Sequence, residues 1–446
     1  MTAYLVVVDC GAMDERFEAP PHYRWNFVLF IVDYVFFGVA LSFANPSSVL
    51  PAFVGQFTRS APVIGLVSTV FNGLWYLPQV VGARAINDKP RKKPYLMAGI
   101  SGRIALGIIP VALWLGLAER PVAMLALFFV CLGLFVIPDA LSSLAWFDML
   151  ARAIPVQRRG RLIGIAQGLS GLAGLGVGAV VSLILASPRA AFPAEYTLIF
   201  ALAAVAFIPS AMALALLREE DSVSPDAATD EPGRDGWLTP LRDDPTFRQL
   251  MVGFILVSMI SLAAPFFVIH ATEELGLPLA VVGGFVAAQQ VAAAAFGALL
   301  GPLSDRWGPS SAIRVGSIVC IAGPVVALTA HLAQGGPLVS AYPLVYVALG
   351  AFQSASMIGY YNYLLAIAPH DMRPSYIGLA NTMMGIITLA PVVGGWLLEA
   401  TSYTVLFAIT TGLMGLGALA ALSLPSATAT SVSAEQWTSP KSGQRP

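Results

Sequence analysis

Three ionisable residues stand inside long apolar stretches of the chain: Asp33, Arg103 and Asp139. A charge at the centre of a bilayer costs roughly 2.5–3.5 kcal/mol on insertion scales, so such residues usually face a partner or a water-filled cavity. The chemistry open to the two carboxylates is proton exchange or contact with a solute. The structural alternatives are a hydrogen bond to a neighbouring helix for Asp33 and a polar residue beside the Pro138 kink for Asp139. The position of Arg103 in the third span favours a structural ion pair, with Asp33 or Asp139 as its partner.

Neutral polar side chains mark further positions within the apolar stretches. Asp139 falls on Gln353 when the two halves of the chain are overlaid at an offset of 214 residues. The two residues are therefore a candidate pair facing a shared site. Four more residues are candidates for lining a solute path: Asn72, Gln79, Gln289 and Gln290. The alternative is that the polar stretches containing them have an interfacial or structural role.

These residues lie in or beside twelve apolar runs of the sequence. Hydrophobic residues make up 57% of the chain and charged residues 11%. About 20 apolar residues span a bilayer as a helix, and backbone groups in lipid must be satisfied within the segment. The sequence therefore predicts an all-α integral membrane protein with twelve transmembrane helices. The expected spans are 25–44, 62–82, 94–116, 121–145, 162–186, 195–217, 249–270, 279–301, 312–332, 341–365, 375–398 and 403–424.

Basic residues indicate the orientation of these spans. Of the 24 Lys and Arg residues, only Arg59, Arg120 and Arg189 fall in odd-numbered connections, and Arg103 lies within a span. The other twenty lie on the side of the termini. Because basic residues near span ends stay in the cytosol, both termini are expected to be cytosolic.

A polar interval divides the spans into two sets of six. We expect a cytosolic leader at 1–23, an N-terminal six-helix bundle at 24–218, a cytosolic linker at 219–247, a C-terminal bundle at 248–424 and a disordered cytosolic tail at 425–446. Residues 146–171 resemble residues 360–385 at the same offset of 214, including a loop proline and arginine. The sequence therefore predicts two pseudo-symmetric bundles that arose by duplication, as is common in transporters.

Glycine patterns predict where helices approach closely. The fifth span carries glycines at 164, 168, 171, 174 and 178, and Gly297 with Gly301 forms a similar step in the eighth span. Small residues at such spacings let membrane helices pack backbone to backbone.

The segment "GPLSDRWG" (301–308) lies between the eighth and ninth spans. Gly301 permits a close helix approach, Asp305 and Arg306 lie at the membrane boundary, and Gly308 permits a tight turn. An ordinary polar hairpin is the alternative interpretation of this segment. Together with the plan of six plus six spans, the segment resembles the cytosolic loop signature of the major facilitator superfamily, and the resemblance covers about residues 24–424.

The resemblance implies that Asp305 and Arg306 latch the cytosolic side when the protein faces outward. It also implies that the first, fourth, seventh and tenth helices line a central cavity, which would place Asp33 and Asp139 on cavity helices. The equivalent loop between the second and third spans departs from the signature. It keeps Gly82 but carries its carboxylate at Asp88, followed by Arg91.

That loop has two interpretations. It is either a displaced version of the latch, in which Asp148 partners one of its bases, or a plain cytosolic anchor.

The function expected is secondary active, proton-coupled transport of a small solute by alternating access, with export as the expected direction. The alternatives are an uptake symporter or a uniporter and, from another class, a transporter-like membrane sensor. Phosphate-binding loops and metal-ligand spacings of histidine are absent from the sequence, so we expect no enzyme activity, cofactor or metal.

The expected partners are a small-molecule substrate, membrane lipid and protons, with no nucleic acid. The expected state is a monomer in the cytoplasmic membrane.

Overall fold

The structure is a computed structural model that describes residues 20–87, 91–188, 191–219, 238–333, 337–369 and 372–425. Regular secondary structure within these ranges is helical, without strands. Ten helices in the described ranges are long and apolar enough to cross a membrane. The all-α membrane fold expected from the sequence is confirmed. The leader 1–23 and the tail 425–446 lie almost wholly outside the described residues, as does most of the linker 219–247.

The helical segments follow the expected spans in order. We label them α1 (Tyr23–Phe43), α2 (Ala61–Asn87), α3 (Lys93–Trp114), α4 (Pro121–Ala153), α5 (Val156–Leu185), α6 (Ala194–Leu216), α7 (Pro245–Glu274), α8 (Val281–Trp307), α9 (Pro309–Ala333), α10 (Pro343–Ala355, Ser356–Tyr361 and Asn362–Ile367), α11 (Arg373–Ile387 and Ala390–Ala400) and α12 (Tyr403–Leu422). In α2 the apolar part found in the described residues is the shorter Ala61–Tyr76, and α10 is segmented. The count of twelve crossings therefore stays a prediction.

Several helices extend beyond the apolar runs that predicted them. The clearest case is α4, which continues to Ala153 although the expected span ended at 145. Its last turns carry an ion pair four residues apart, in which Arg152 Nε lies 2.9 Å from Asp148 Oδ2. Hydropathy detects only the part of a helix that lies in hydrocarbon, so it misses polar turns that are stabilised in this way.

Breaks in the helical path occur next to Pro46 and within α7 at Pro265. After Pro46 the chain forms a short helix, Val49–Gly55, which the sequence did not predict. Pro265 separates two short helices inside α7, and the last segment of α7, His270–Glu274, is a π-helix. Membrane helices tolerate such breaks because neighbouring groups satisfy the freed backbone atoms.

The two halves repeat the same tether between helix ends. In the first half, Lys93 Nζ at the start of α3 donates to the Leu217 carbonyl oxygen after α6, at 2.7 Å. In the second half, Arg314 Nη2 near the start of α9 donates to the Leu424 carbonyl oxygen after α12, at 2.6 Å. This repetition agrees with two pseudo-symmetric six-helix bundles. It also defines a termini face, at which α1 and α7 begin and α6 and α12 end.

The two bundles meet at the face opposite the termini, and α5 packs against α8 there. Ser182 Oγ donates to the Ala280 carbonyl oxygen at 2.7 Å. A side chain on Gly283 would collide with the Gly178 carbonyl oxygen, so only glycine permits this approach. Nearer the termini face the same helix stripes are open, since a Cβ at Gly164 or Gly301 would have no atom within 4 Å.

A second contact between the bundles joins α2 to α11 at the same opposite face. The Glu399 carboxylate accepts from Ser60 Oγ and from the Ala61 backbone N–H, each at 3.0 Å. Arg59 Nη1 lies 3.4 Å from Glu273 Oε2 at the end of α7. The bundles are therefore closed at the opposite face and diverge toward the termini face.

Candidate functional site

Arg103 lies in the interior of the N-terminal bundle. It ends a single 3-10 turn, Ser101–Arg103, inside α3, and its side chain is 8% exposed. Its guanidinium carbon lies 4.8 Å from the ring centre of Phe37 on α1 and 5.4 Å from that of Phe207 on α6. The two aromatic rings hold the cation by cation–π contact and keep it away from lipid.

The nearest charged partner of Arg103 is Asp139 on α4. Arg103 Nε donates to Asp139 Oδ1 at 2.8 Å, and the Asp139 side chain is 3% exposed. Hydrogen bonds between ionised groups at this distance are about twice as strong as neutral ones. Asp139 is therefore the principal counter-charge of Arg103.

Asp33 on α1 completes a charge cluster, by which we mean Asp33, Arg103 and Asp139. Asp33 Oδ1 lies 3.7 Å from Arg103 Nη1 and accepts a hydrogen bond from Ser210 Oγ at 2.5 Å. Asp33 Oδ2 accepts from Trp146 Nε1 at 2.8 Å. Ser210 in turn accepts from Arg103 Nη1 at 2.6 Å, so it connects the arginine to the second carboxylate.

The cluster holds two carboxyl groups and a single guanidinium. With both carboxyl groups ionised, it carries one uncompensated negative charge in the bundle interior. One bound proton makes the cluster neutral. Since an uncompensated buried charge is strongly unfavourable, the cluster is suited to hold one exchangeable proton.

The sequence had offered Asp33 and Asp139 as alternative partners for Arg103, and the structure brings all three together. It also adds Ser210 and Trp146, which sequence reasoning did not single out. Ser210 follows Pro209 within α6, and Trp146 is half-buried on α4. A serine or tryptophan in an apolar run carries no signal that it faces a charge, so only the packing of four helices reveals them.

Gln289 and Gln290 lie at the junction of the bundles. Gln289 Oε1 accepts from Asn45 Nδ2 at 3.2 Å, and Gln290 Nε2 donates to Ser42 Oγ at 2.8 Å. Both bonds join α8 to the end of α1 and the break that follows it. The two glutamines therefore tie one bundle to the other on the closed side of the molecule.

The remaining polar candidates lie apart from the charge cluster. Gln353 is exposed on α10, whereas Asp139 is buried, so the two do not occupy matching environments. Asn72 is exposed on α2 and its Nδ2 donates to the Ser68 carbonyl oxygen at 2.9 Å. Gln79 lies in the helical part of α2 whose side chains are not described.

The segment 301–308 is open at the termini face. Asp305 and Arg306 are exposed and, within the described ranges, neither forms an ion pair; the Arg306 guanidinium lies over the adjacent Trp307 ring. Gly308 adopts a φ of 80°, a conformation that favours glycine. The predicted latch is therefore unengaged in this structure, and its role stays a prediction.

The related loop between α2 and α3 is only partly described. Asp88 lies outside the described residues, and Gly82 lies in the stretch of α2 without described side chains. Arg91 is exposed and lines a cavity with Lys93 and Arg218. Asp148 pairs with Arg152 on its own helix, so its role as a partner for this loop stays a prediction.

An all-helical membrane protein of two bundles that close at one face and part at the other has the architecture of an alternating-access transporter. The chain belongs to the Major Facilitator Superfamily, whose family model matches residues 34–388 and 250–442. Family and fold together indicate a membrane transporter.

Solved structures agree on the fold. The chain is similar to a D-xylose–proton symporter, with a TM-score of 0.68, 17% identity and coverage of 91% of this chain and 99% of that one. It is similar to a bacterial homologue of the iron transporter ferroportin in an inward-facing state, with a TM-score of 0.64, 16% identity and coverage of 90% and 98%. For the nucleoside transporter NupG the TM-score is 0.62 at 13% identity, with coverage of 91% and 99%.

Among curated sequences, an uncharacterized protein of Mycobacterium tuberculosis is 31% identical over 187 residues, or 41% of this chain. An uncharacterized protein of Mycobacterium bovis matches equally. The matched region spans 35% of the length of each of these relatives.

Proposed function

We propose that the protein is a secondary transporter that couples the movement of a small solute to a proton gradient through the charge cluster. The observation that carries the proposal is the unequal count of two buried carboxyl groups and one guanidinium. Proton relays in transporters use intramembrane carboxyl groups of this kind. We propose export as the direction of transport, which is the direction expected in the sequence analysis.

Asp33 is the carboxyl group that we propose binds the proton. Asp139 receives the direct bond from Arg103 at 2.8 Å, whereas Asp33 lies 3.7 Å from the guanidinium and accepts from neutral donors. Neutralising Asp33 leaves the stronger ion pair intact, while neutralising Asp139 would remove it. A proton therefore disturbs the cluster least when it resides on Asp33.

A proton on Asp33 acts on helix contacts as well as on charge. Asp33 joins α1 to α4 through Trp146 and to α6 through Ser210. When it is neutral, Asp33 accepts these bonds more weakly, since bonds to ionised groups are the stronger ones. We infer that proton loading loosens α1 within its bundle, and α1 also contacts the other bundle through the bond between Ser42 and Gln290.

The transport cycle that we propose follows from the two ends of α5 and α8. In this structure the helices touch at Gly178 and Gly283 and part at Gly164 and Gly301. Closing the termini face would bring the second pair together and engage Asp305. With the termini face in the cytosol, as the positive-inside rule favours, the structure corresponds to an inward-open state.

Flux in proteoliposomes tests the proposal. A thermal-shift screen of the purified protein against a solute library first selects a solute that stabilises it. Uptake of that solute into vesicles is then measured with and without an imposed pH difference, together with the internal pH. We expect the pH difference to accelerate flux and solute movement to carry protons; unchanged flux would overturn proton coupling, and binding without flux would indicate a sensor.

We propose that the protein is a monomer in the cytoplasmic membrane and that both of its termini lie in the cytosol. Single cysteines at Ser423, after α12, and at Glu119, between α3 and α4, report the two faces because both positions are exposed. We expect an impermeant maleimide applied to whole cells to label Glu119→Cys and to spare Ser423→Cys. The reverse pattern would invert the topology.

A further inference from the structure

Two histidines of the C-terminal bundle, 61 positions apart in the chain, meet near the opposite face. His270 Nε2 on α7 lies 3.0 Å from His331 Nδ1 on α9. His270 is fully buried, whereas His331 is partly exposed. His270 begins the π-helical segment of α7, and such segments are rare and frequent at functional sites.

The hydrogen bonds fix which nitrogen atoms carry protons. Tyr342 on α10 donates its hydroxyl proton to the Phe267 carbonyl oxygen at 2.9 Å. A tyrosine hydroxyl has one proton, so toward His270 Nδ1, at 2.9 Å, it must accept. His270 therefore carries its proton on Nδ1 and accepts at Nε2, and His331 must donate from Nδ1.

This chain of donors runs in one direction, from His331 through His270 and Tyr342 to Phe267. An additional proton on His331 Nε2 leaves every bond of the chain in place. A further proton on His270 Nε2 would set two N–H groups against each other across 3.0 Å and break the bond between the rings. The arrangement therefore accommodates a first proton and resists a second.

We propose that His270 and His331 form a second proton-binding site, which takes up one proton from the opposite face through His331. The site lies in the other bundle from Asp33, and it stands whether or not the charge cluster couples transport. Within the described ranges no third histidine, cysteine or carboxylate joins the pair in a metal-binding group. A proton is therefore the ligand that this chemistry fits.

The titratable groups nearest the pair lie on α7, α10 and α12. On α7 itself Glu273 and Glu274 follow one turn after His270, and they act on the Tyr403 hydroxyl of α12. The rings of Tyr403 and His270 lie 4.8 Å apart. From α10 the pair is faced by the phenol of Tyr342, whose hydroxyl lies 2.9 Å from His270 Nδ1.

The site also adjoins a contact between the two bundles. Glu273, in the same π-helical segment as His270, pairs with Arg59 of the N-terminal half. A change at His270 therefore acts on the segment that closes the opposite face.

Nitrogen NMR of the histidine rings tests the site directly. The full-length protein, labelled with ring-¹⁵N histidine, is placed in phosphatidylcholine nanodiscs, and the substitutions His22→Gln and His370→Gln leave only the pair visible. At about pH 8 we expect two neutral rings, both protonated on Nδ1; near pH 5, one imidazolium and one neutral ring. Rings protonated on Nε2 at the higher pH, two imidazolium rings, or no proton uptake would each overturn the proposal.

Two variants separate a shared site from independent rings. His331→Asn keeps an N–H donor at the position of His331 Nδ1 for His270 Nε2, and we expect His270 then to stay neutral throughout; an imidazolium at His270 would contradict the shared site. If that variant does not fold, Tyr342→Phe removes the acceptor for Nδ1, and we expect His270 to move its proton from Nδ1 to Nε2. Retention of the Nδ1 proton in Tyr342→Phe would refute the direction of the chain.

Discussion

Removing the guanidinium from the charge cluster should destabilise the protein more than removing its nearer carboxylate. Arg103→Gln leaves two buried carboxyl groups without a counter-charge, and breaking a buried pair in this way costs about 3–5 kcal/mol. It also removes the hydrogen bond that Arg103 donates to Ser210 and the cation that lies between the rings of Phe37 and Phe207.

Asp139→Asn should cost less, about 1–3 kcal/mol, the range for loss of a hydrogen bond to a charged group. Arg103 then keeps Asp33 at 3.7 Å, and the cluster becomes a balanced pair. The double variant Arg103→Gln/Asp139→Asn should be no less stable than Arg103→Gln alone, because the second substitution removes an orphaned charge. Residues in contact couple in this non-additive way.

The assay is unfolding of the purified protein by SDS in mixed micelles, followed by helical circular dichroism. Arg152→Gln is a matched control, because it breaks a more exposed arginine–aspartate pair and should cost about 0–1 kcal/mol. If Arg103→Gln were no worse than Asp139→Asn, or if the two effects simply added, the charge balance that we assign to the cluster would be refuted.

Two glycines of α8 provide a matched pair for the transport cycle. Gly283→Leu should disfavour closure of the opposite face, since overpacking costs roughly 1–3 kcal/mol, and so raise the maleimide reactivity of Asn45→Cys from that side about tenfold. Gly301→Leu adds a Cβ that has no atom within 4 Å in this state, so it should leave that reactivity unchanged but slow transport. Equal behaviour of the two variants would refute the rocking scheme. Asp305→Ala should abolish flux with normal expression, and normal flux would remove the latch assignment.

The fold was largely predictable from the sequence because lipid restricts the backbone to few solutions. Apolar runs located the helices, and the repeat between 146–171 and 360–385 indicated two bundles. The polar last turns of α4 and the short helix Val49–Gly55 were missed, since hydropathy reports neither ion pairs nor the exit angle after Pro46.

The charge cluster was predictable in part. Rare charges at mid-membrane depth identified Asp33, Arg103 and Asp139, but helix rotation decides which of them meet. Rotation also decides that Ser210 and Trp146 serve as donors to Asp33. His270 and His331 escaped notice because ligand spacing along the chain says nothing about side chains brought together from α7 and α9.

The glycine stripe of α5 shows a different limit. The sequence predicted close packing along its whole length, and the structure shows it from Gly171 to Gly178 but not at Gly164 or Gly168. In the cycle that we propose, the end near Gly164 closes in the other state, which this structure does not show. A sequence encodes contacts for both states without saying which are formed together.

Solute flux through Asp33→Asn protein tests the central claim most directly. The amide keeps the shape, and its single oxygen can accept from Trp146 while its NH2 group donates to Ser210 Oγ, but it cannot exchange a proton. With the solute selected by thermal shift, flux is measured in wild type and variant, with and without an imposed pH difference. We expect the variant to bind the solute and to move it down its own gradient, with no acceleration by the pH difference. Acceleration equal to that of the wild type would show that Asp33 is structural and that the proton is bound elsewhere.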